Sequence, residues 1–492
     1  MIQNAIQKIE AINFEEIFVY DDIDGRAYTY NEFFQQAEYI AKYVEKNIEG
    51  SNVIAIKENS YELALLYFAI MLTNKKIMVI DPQKGKEEIK GILGDIESSY
   101  VLADSGIDFL DETKHTLIDM TYSEKCLTEI HDIKNKILIK LQKRTVDMPY
   151  LVTFTSGTSG VTKGVEHTLD NLFLTAIALD KKVDKQGGTL IHVMPMTYMA
   201  GILNSLIYPF LVGTKIVIAK RFSIMEARNF WKKVIKYEVD LFWLSPSMLM
   251  MIDQMDKKHE GEEYCRQKKL TFLIGTAPLT QEMRNKFNER YGVKVYASYG
   301  LSETLFISVE NDLSYQKSEI NGVGEILDGV EYKFTDSDEM LIKVPWMYLG
   351  YTNEENAAYF EKDYYRTGDL AKIQSGCLYI TGRSKDLIIK GGMNISPILI
   401  ENMVYNDARI LENVVIGVKD CQGEEKICCV YTLKQEVMIN QDVEINIKKL
   451  VLENLGRNYM IDYLWNIKEI PRNINGKIDK NKLKQLWENK NE

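Results

Sequence analysis

Proline and cysteine are sparse, 9 and 6 among 492 residues. The cysteines, at 126, 265, 377, 421, 428 and 429, form no C-x-x-C pair, and the 5 histidines are scattered without zinc spacing. Reduced thiols are the simplest account of such usage. No apolar run approaches the ~18 residues needed to span a bilayer. The most apolar tract, Glu62 to Leu72, is short and reads as a buried helix. Met1 leads directly into Gln3, Asn4 and Lys8, so no secretory h-region is expected, and a cytoplasmic enzyme is the expectation. No basic block offsets the net charge of −11, which disfavours a nucleic-acid partner. The few prolines, beside abundant Lys, Ile and Asn, reflect the base composition of the source more than function.

What is present is size. A chain of 492 residues, 46% hydrophobic, implies two or more domains with a large folded interior. The stretch around which the chain is organised is residues 151–169. An apolar run, Leu151 to Phe154, gives way to residues mostly Gly, Ser and Thr, with one lysine, Lys163. Glycine lets backbone amides approach an anion. Hydroxyls add donors, and Lys163 adds a mobile positive charge, which is the chemistry of a phosphate cradle. It is not a Walker loop, because Lys163 is preceded by Thr162 and followed by Gly164. A flexible Ser/Gly linker shares this composition. Lys163 between Val161 and Val165 argues against a plain linker, but the stretch alone leaves both readings open.

Residues 29–46 read as an amphipathic helix with Tyr30, Phe34, Ala37, Ala41 and Val44 on one face. Strands are expected at 53–56, 77–80 and 101–103, with a helix at 61–72. After the glycine-rich loop come strands at 190–194, 215–218, 241–244, 272–274 and 293–296, alternating with helices near 169–181, 202–212 and 224–237. Such alternation predicts an α/β fold with parallel sheets covered on both faces. Ligands then sit beyond the carboxyl ends of strands. Three strands run into polar or glycine-containing segments there: 275–279, 298–304 and 195–201. From about 320 short strands and turns predict a β-rich subdomain. Strands at 387–390, 414–418 and 427–431, with a helix from Pro397 capped by Ser396 and another near 444–455, predict a small α+β unit at the end.

Taken together, these segments resemble the adenylate-forming superfamily of acyl-CoA synthetases, aryl-CoA ligases, adenylation domains and firefly-type luciferases. Ser156 to Gly164 resembles its phosphate loop, and Gly275 to Leu279 its adenine-side segment. Tyr299-Gly300-Leu301-Ser302-Glu303 resembles its Y-G-x-T-E signature. Thr367-Gly368-Asp369, Gly382-Arg383 and Lys477 match the remaining motifs. Six motifs in order span essentially the whole chain.

The resemblance implies a large N-terminal AMP-binding domain, residues 1–384, with its β-rich part at about 320–384. A small mobile C-terminal lid, 385–492, would hinge near Lys385. It implies ATP and Mg²⁺, a carboxylic acid substrate, an acyl-adenylate with release of pyrophosphate, and transfer to the thiol of CoA or of phosphopantetheine on an acyl or peptidyl carrier protein. Thr155, Ser156, Gly157, Thr158, Ser159, Gly160 and Lys163 would hold the β- and γ-phosphates. Gly275, Thr276, Ala277, Pro278, Ser298, Tyr299, Gly300 and Ile380 would surround the nucleotide, with Tyr299 stacked on adenine. Ser302 would donate to the α-phosphate, and Glu303 would hold Mg²⁺. Asp369 would accept from the ribose hydroxyls, and Arg383 would contact ribose or phosphate. Lys477 would bridge the attacking carboxylate and the α-phosphate. Gly391 and Gly392 would face the thiol acceptor.

The chain also departs from the family's pattern. Tyr198 stands where many acyl- and aryl-CoA ligases have histidine, within a pocket expected from Tyr198, Met199, Gly201 and Ile202. Met194 to Gly213 contains no acidic residue, which disfavours an amino-acid substrate, since its buried ammonium would lack a partner. A fatty, branched or aromatic acid fits this lining. The rival readings are an adenylase with a non-thiol acceptor and a non-catalytic nucleotide-binding homologue.

Overall fold

The structure is a computed structural model. It describes residues 2–47, 50, 52–94, 96, 99–103, 115–117, 132–145, 147–156, 162–183, 185, 187–317, 322–352, 356–390, 393–420, 424–434, 441–472 and 478–491.

Two large sheets form the body. The first has nine strands, its centre built from parallel strands at Ile17–Asp21, Thr189–His192, Lys215–Ile218, Leu241–Leu244, Thr271–Ile274 and Val295–Leu301. The second has seven, with Asn52–Ile56, Lys76–Val79, Ser99–Ala103 and Pro149–Ser156 parallel, then Pro149–Ser156 turning back antiparallel into Thr162–Thr168. The expected parallel α/β architecture is therefore present, but both sheets carry antiparallel strands at the edge nearest the glycine-rich loop and the Ser302 segment.

The helix Tyr61–Met71 lies buried along its whole length, capped by Ser60 accepting from the Leu63 amide. With Glu62 its one charged residue, its largely apolar surface suits burial between layers. The amphipathic helix Tyr30–Asn47 turns Tyr30, Phe33, Phe34, Ala37, Ala41 and Val44 inward. Phe18, Phe33, Phe34, Phe68 and Phe210 pack there, most pairs edge to face or tilted and Phe18–Phe34 stacked, their ring centroids 5.1–6.1 Å apart. One continuous apolar core joins residues of both sheets and these helices.

A third, five-stranded antiparallel sheet follows, including Glu331–Phe334, Glu339–Lys343, Tyr364–Gln374 and Cys377–Arg383. Beyond it stand a two-stranded hairpin, Ile388–Lys390 with Met393–Ile395, and a three-stranded sheet of Ile410–Lys419, Glu425–Leu433 and Tyr463–Asn466. Helices Pro397–Val404, Gln441–Leu455 and Lys480–Asn491 complete this last part, which has its own apolar cores. Leu249, Met250, Met283 and Phe287 of the body and Tyr405 and Leu411 of the terminal part line a groove between the two, and Lys434 meets Glu282 there at 3.5 Å. Among the described residues no helix is long and apolar enough to cross a membrane.

Three local expectations change. The strand expected at 293–296 runs from Val295 to Leu301, because its far half pairs antiparallel with Leu305–Val309. Ser298, Tyr299 and Gly300 are thus strand residues. The helix expected from 202 begins at Met199 and contains a π-helical turn, Leu203–Ile207. Ser396 stands at the N-cap of the Pro397 helix, yet its hydroxyl donates to the Thr381 carbonyl at 2.6 Å instead of capping. It ties the terminal part to the strand that ends in Arg383.

Candidate active site

On either side of the glycine-rich segment two strands pair antiparallel, with Thr155 opposite Lys163 and Ser156 opposite Thr162. Gly157, Thr158, Ser159 and Gly160 lie outside the described residues, as do Gly391, Gly392 and Lys477. Past the loop, Thr162 donates to Glu88 at 2.7 Å, and Lys84 pairs with the same carboxylate. Gly164 is required by close packing: a Cβ there would lie 2.7 Å from the Thr352 hydroxyl oxygen.

The segment Tyr348–Thr352 zips onto this strand pair. Leu349 donates to the Glu166 carbonyl at 2.8 Å, Thr352 to that of Gly164 at 2.9 Å, and Tyr351 lies opposite Val165. The Tyr348 amide reaches the Glu303 carbonyl at 3.0 Å. Tyr351 then makes the key contacts. Its hydroxyl donates to Glu303 Oε1 at 2.7 Å and meets the Tyr365 hydroxyl at 3.2 Å. The Lys163 ammonium lies 5.1 Å from the centroid of the Tyr351 ring and 4.6 Å from that of Tyr359, whose hydroxyl it also bonds. Burial first, then the Glu303 charge, push the Tyr351 hydroxyl's pKa up, so it remains a donor.

Ser302, Glu303 and Thr304 form the tip of the hairpin between Val295–Leu301 and Leu305–Val309. A Cβ on Gly300 would lie 2.1 Å from the Leu305 carbonyl oxygen, so only glycine fits this crossing. The Ser302 carbonyl accepts from His167 Nε2 at 2.7 Å. A carbonyl only accepts, so Nε2 carries the hydrogen and Nδ1 faces the Asn171 amide at 3.5 Å. Asn171 also donates to the Met347 carbonyl at 2.7 Å. Burial pushes the His167 imidazole down to about 4, so it is neutral at physiological pH.

Four residues before Glu303, Tyr299 donates to Asp369 Oδ2 at 2.6 Å, and Arg383 Nε donates to Oδ1 at 2.7 Å. The strand pairing places Asp369 opposite Arg383. Gly368 takes a positive φ of 68°, and Thr367 Oγ1 accepts from the Asp369 amide at 3.0 Å. The Asp369 side chain is only 2% exposed, against 46% for Arg383. Burial works against the Arg383 charge, and Asp369 outweighs it, holding the guanidinium's pKa above its ordinary value. Just past the end of the neighbouring strand, Thr271–Ile274, a Cβ on Gly275 would sit 2.7 Å from the Ser298 hydroxyl oxygen. Thr276 takes φ 68°, a rare conformation for a β-branched residue, of the kind found at ligand clamps.

Two corners of the sequence-derived site are thus built from the one strand Val295–Leu301 and its tip: Tyr299, Asp369 and Arg383 at one, Glu303 and Lys163 around Tyr351 at the other. Met199 and Ile202 are buried in the apolar core. The helix start that carries them is clamped from elsewhere. Asn59 donates to the Met194 carbonyl at 2.7 Å and accepts from the Met196 amide at 2.8 Å, and the Tyr67 hydroxyl donates to the Met196 carbonyl at 2.6 Å. A Cβ on Gly201 would lie 2.0 Å from the Pro195 carbonyl oxygen. Lys385 lies in a single 3₁₀ turn, Ser384–Asp386, where Asp386 receives Lys480 at 3.2 Å. Sequence reasoning missed His167, Asn171, Tyr351 and Tyr359, none of which has a local signature. A tyrosine directly after the conspicuous Gly350 is the one hint.

Among the described residues no cluster of three or more His, Cys, Asp or Glu could hold a metal ion. A hard cation that keeps waters and uses one carboxylate plus substrate phosphates fits the donor set at Glu303, whose carboxylate retains acceptor sites beyond the one Tyr351 uses.

The sequence model of a family described as AMP-binding enzyme matches residues 10–352. The chain is 24% identical over 482 residues to the 2-succinylbenzoate–CoA ligase of Bacillus subtilis (strain 168), covering 95% of this chain and 94% of that one. It is 27% identical over 358 residues to the sulfoacetate–CoA ligase of Cupriavidus necator, covering 68% and 67%. The fold is similar to the crystal structure of ATP-bound MatB from Rhodopseudomonas palustris, with TM-score 0.82, 20% identity and 99% of each chain covered. The chain belongs to the AMP-binding enzyme family, in the adenylate-forming superfamily, and is an AMP-forming acid–thiol ligase.

Proposed function

We propose that the chain activates an apolar carboxylic acid, fatty, branched or aromatic, with ATP, and passes the acyl group to the thiol of CoA. The observation that carries this reading is the single strand Val295–Leu301, which delivers Tyr299 to the Asp369–Arg383 corner and, four residues on, Glu303 to the Lys163 corner. A ribose held at the first corner would lay its phosphates toward the second. The acceptor follows that of the named relatives, both CoA ligases.

A carboxylate attacking a triphosphate must overcome like-charge repulsion, so positioning and positive charge carry the catalysis. Asp369 binds the ribose hydroxyls on the acceptor sites that Tyr299 and Arg383 leave open. Thr155, Ser156, Thr158 and Lys163 hold the β- and γ-phosphates. Ser302 donates to the α-phosphate. Mg²⁺, when bound, neutralises phosphate charge, and Glu303 is its protein ligand. Residues 385–492 act as a lid hinged near Lys385, which brings Lys477 between the two anions for the first step. Turning of the lid then presents Gly391 and Gly392 to the thiol.

The acid is inferred from the segment Met194 to Gly213, which holds neither an acidic nor a basic residue. The relatives named above act on acids carrying a second anionic group. This segment offers such a group no cation. The test is exchange of labelled pyrophosphate into ATP over a panel of carboxylic acids, followed by thioester formation with CoA or a holo-carrier protein. Exchange with apolar monocarboxylic acids and thioester with CoA is the expected result. Exchange with none of the panel, or product only on a carrier, would overturn the reading.

A further inference from the structure

Tyr351 occupies a place that no motif assigns. It is carried on a two-residue strand, Gly350–Tyr351, pinned to the phosphate-loop hairpin, and its amide donates to the Asn356 side chain at 3.0 Å. Gly350 adopts φ 150°, and a Cβ there would lie 2.1 Å from Asn356 Nδ2, so the approach to Tyr351 tolerates no side chain. The ring is boxed by Tyr348, 5.1 Å away, and Tyr359, 4.9 Å away, both near edge-on. Its orientation is therefore set by the backbone and by three neighbouring tyrosines, including Tyr365 at its hydroxyl.

We propose that Tyr351 is a positioning residue that serves the two opposite charges of the phosphate site at once, its hydroxyl holding Glu303 for the metal and its face holding Lys163 for the phosphates. The inference rests on the reading of Glu303 and Lys163 given above. The physical need is plain. A carboxylate and an ammonium close together pair with each other, and each is then half spent before the nucleotide arrives. A tyrosine separates them without leaving either bare. Its O–H satisfies one carboxylate lone pair and fixes the carboxylate's plane. Its quadrupole supports the ammonium without neutralising it, so the cation still reaches a phosphate. Tyr359 gives the lysine a second ring beside the first.

Two substitutions take the two functions apart. Tyr351→Phe keeps the ring under Lys163 and removes only the hydroxyl. Tyr351→Leu removes both. Binding of α,β-methylene-ATP to the full chain, measured by calorimetry in EDTA and in saturating Mg²⁺, gives a metal-free affinity and the gain that the metal adds. For Tyr351→Phe the gain falls about five- to tenfold while the metal-free affinity stays within about twofold of the unaltered chain. For Tyr351→Leu the metal-free affinity falls as well, by about threefold or more. Melting temperature checks that each variant is folded. Glu303→Gln is the control for the underlying reading. If it leaves the metal gain intact, Glu303 is not the metal's ligand, and both the site reading and this inference fail. If Glu303→Gln abolishes the gain while Tyr351→Phe does not touch it, or if Phe and Leu behave alike, the inference fails alone.

Discussion

Replacing His167 by glutamine tests the burial and the tautomer of the imidazole behind the Ser302 hairpin. His167 is fully buried, and its pKa is pushed down from 6.5 to about 4. In the unfolded chain the same group binds a proton near its ordinary value. A histidine depressed in the folded state contributes stability that is fully present above about pH 6.5 and is lost as the pH falls toward about 4. At pH 5 the unfolded state is ahead by about one and a half units, and at about 1.36 kcal/mol per unit that is about 2 kcal/mol. Glutamine does not titrate, and its amide can still donate to the Ser302 carbonyl. The buried His192, held down to about 3 by burial, is unchanged in both proteins and cancels in the comparison. The assay is urea unfolding of the body followed by the fluorescence of Trp231, Trp243 and Trp346, from pH 7.5 to 5.0. The unaltered protein loses about 2 kcal/mol more than His167→Gln over that interval. Adenylation by the glutamine variant stays near normal at pH 7.5. His167→Leu, which leaves the Ser302 carbonyl unpaired, is about 1–3 kcal/mol less stable than His167→Gln at every pH. Parallel stability curves for the unaltered protein and His167→Gln would refute the reasoning.

Asp369→Asn removes the anion shared by Tyr299 and Arg383 and raises the KM for ATP in pyrophosphate exchange by about tenfold or more, from the loss of charged hydrogen bonds; an unchanged KM would move the ribose elsewhere. Lys477→Ala abolishes adenylation and largely spares thiolation of preformed adenylate, and equal loss of both half-reactions would contradict a turning lid. Arg284 Nη1 lies against Glu310 Oε2 at 2.5 Å, both side chains buried, and Glu310 accepts from the Ala297 amide at 2.7 Å. Arg284→Met strands that carboxylate and costs about 3–5 kcal/mol of stability, read as a fall in the denaturation midpoint.

How much of this was legible in the sequence depends on the range over which each feature is encoded. The α/β class, the buried helix at 61–71 and the amphipathic helix at 30–47 are written in local periodicity, and the fold follows them. The glycine-rich loop announced itself by composition. The antiparallel edges did not, because whether Pro149–Ser156 pairs with its own continuation depends on a hairpin register that no periodicity specifies. Tyr351 reaches Glu303 only through a pairing with a strand some 190 residues earlier, so no window of sequence contains the reason for it. Ser396 shows the reverse failure. Its cap signature is local, and a distant carbonyl at Thr381 outcompetes it. His167 alternates on its strand like any inward residue, and only the packing of Ser302 against it reveals its work.

The clamp that Asn59 and Tyr67 place on residues 194–196 engages main-chain atoms only. Nothing in those three bonds depends on which side chains the segment carries. The anchor therefore survives substitutions in Thr197 to Ile202 that keep Gly201 and the apolar volume of Met199 and Ile202. Tyr198 and Ala200, only half-buried, are the positions there that can be varied without emptying the core.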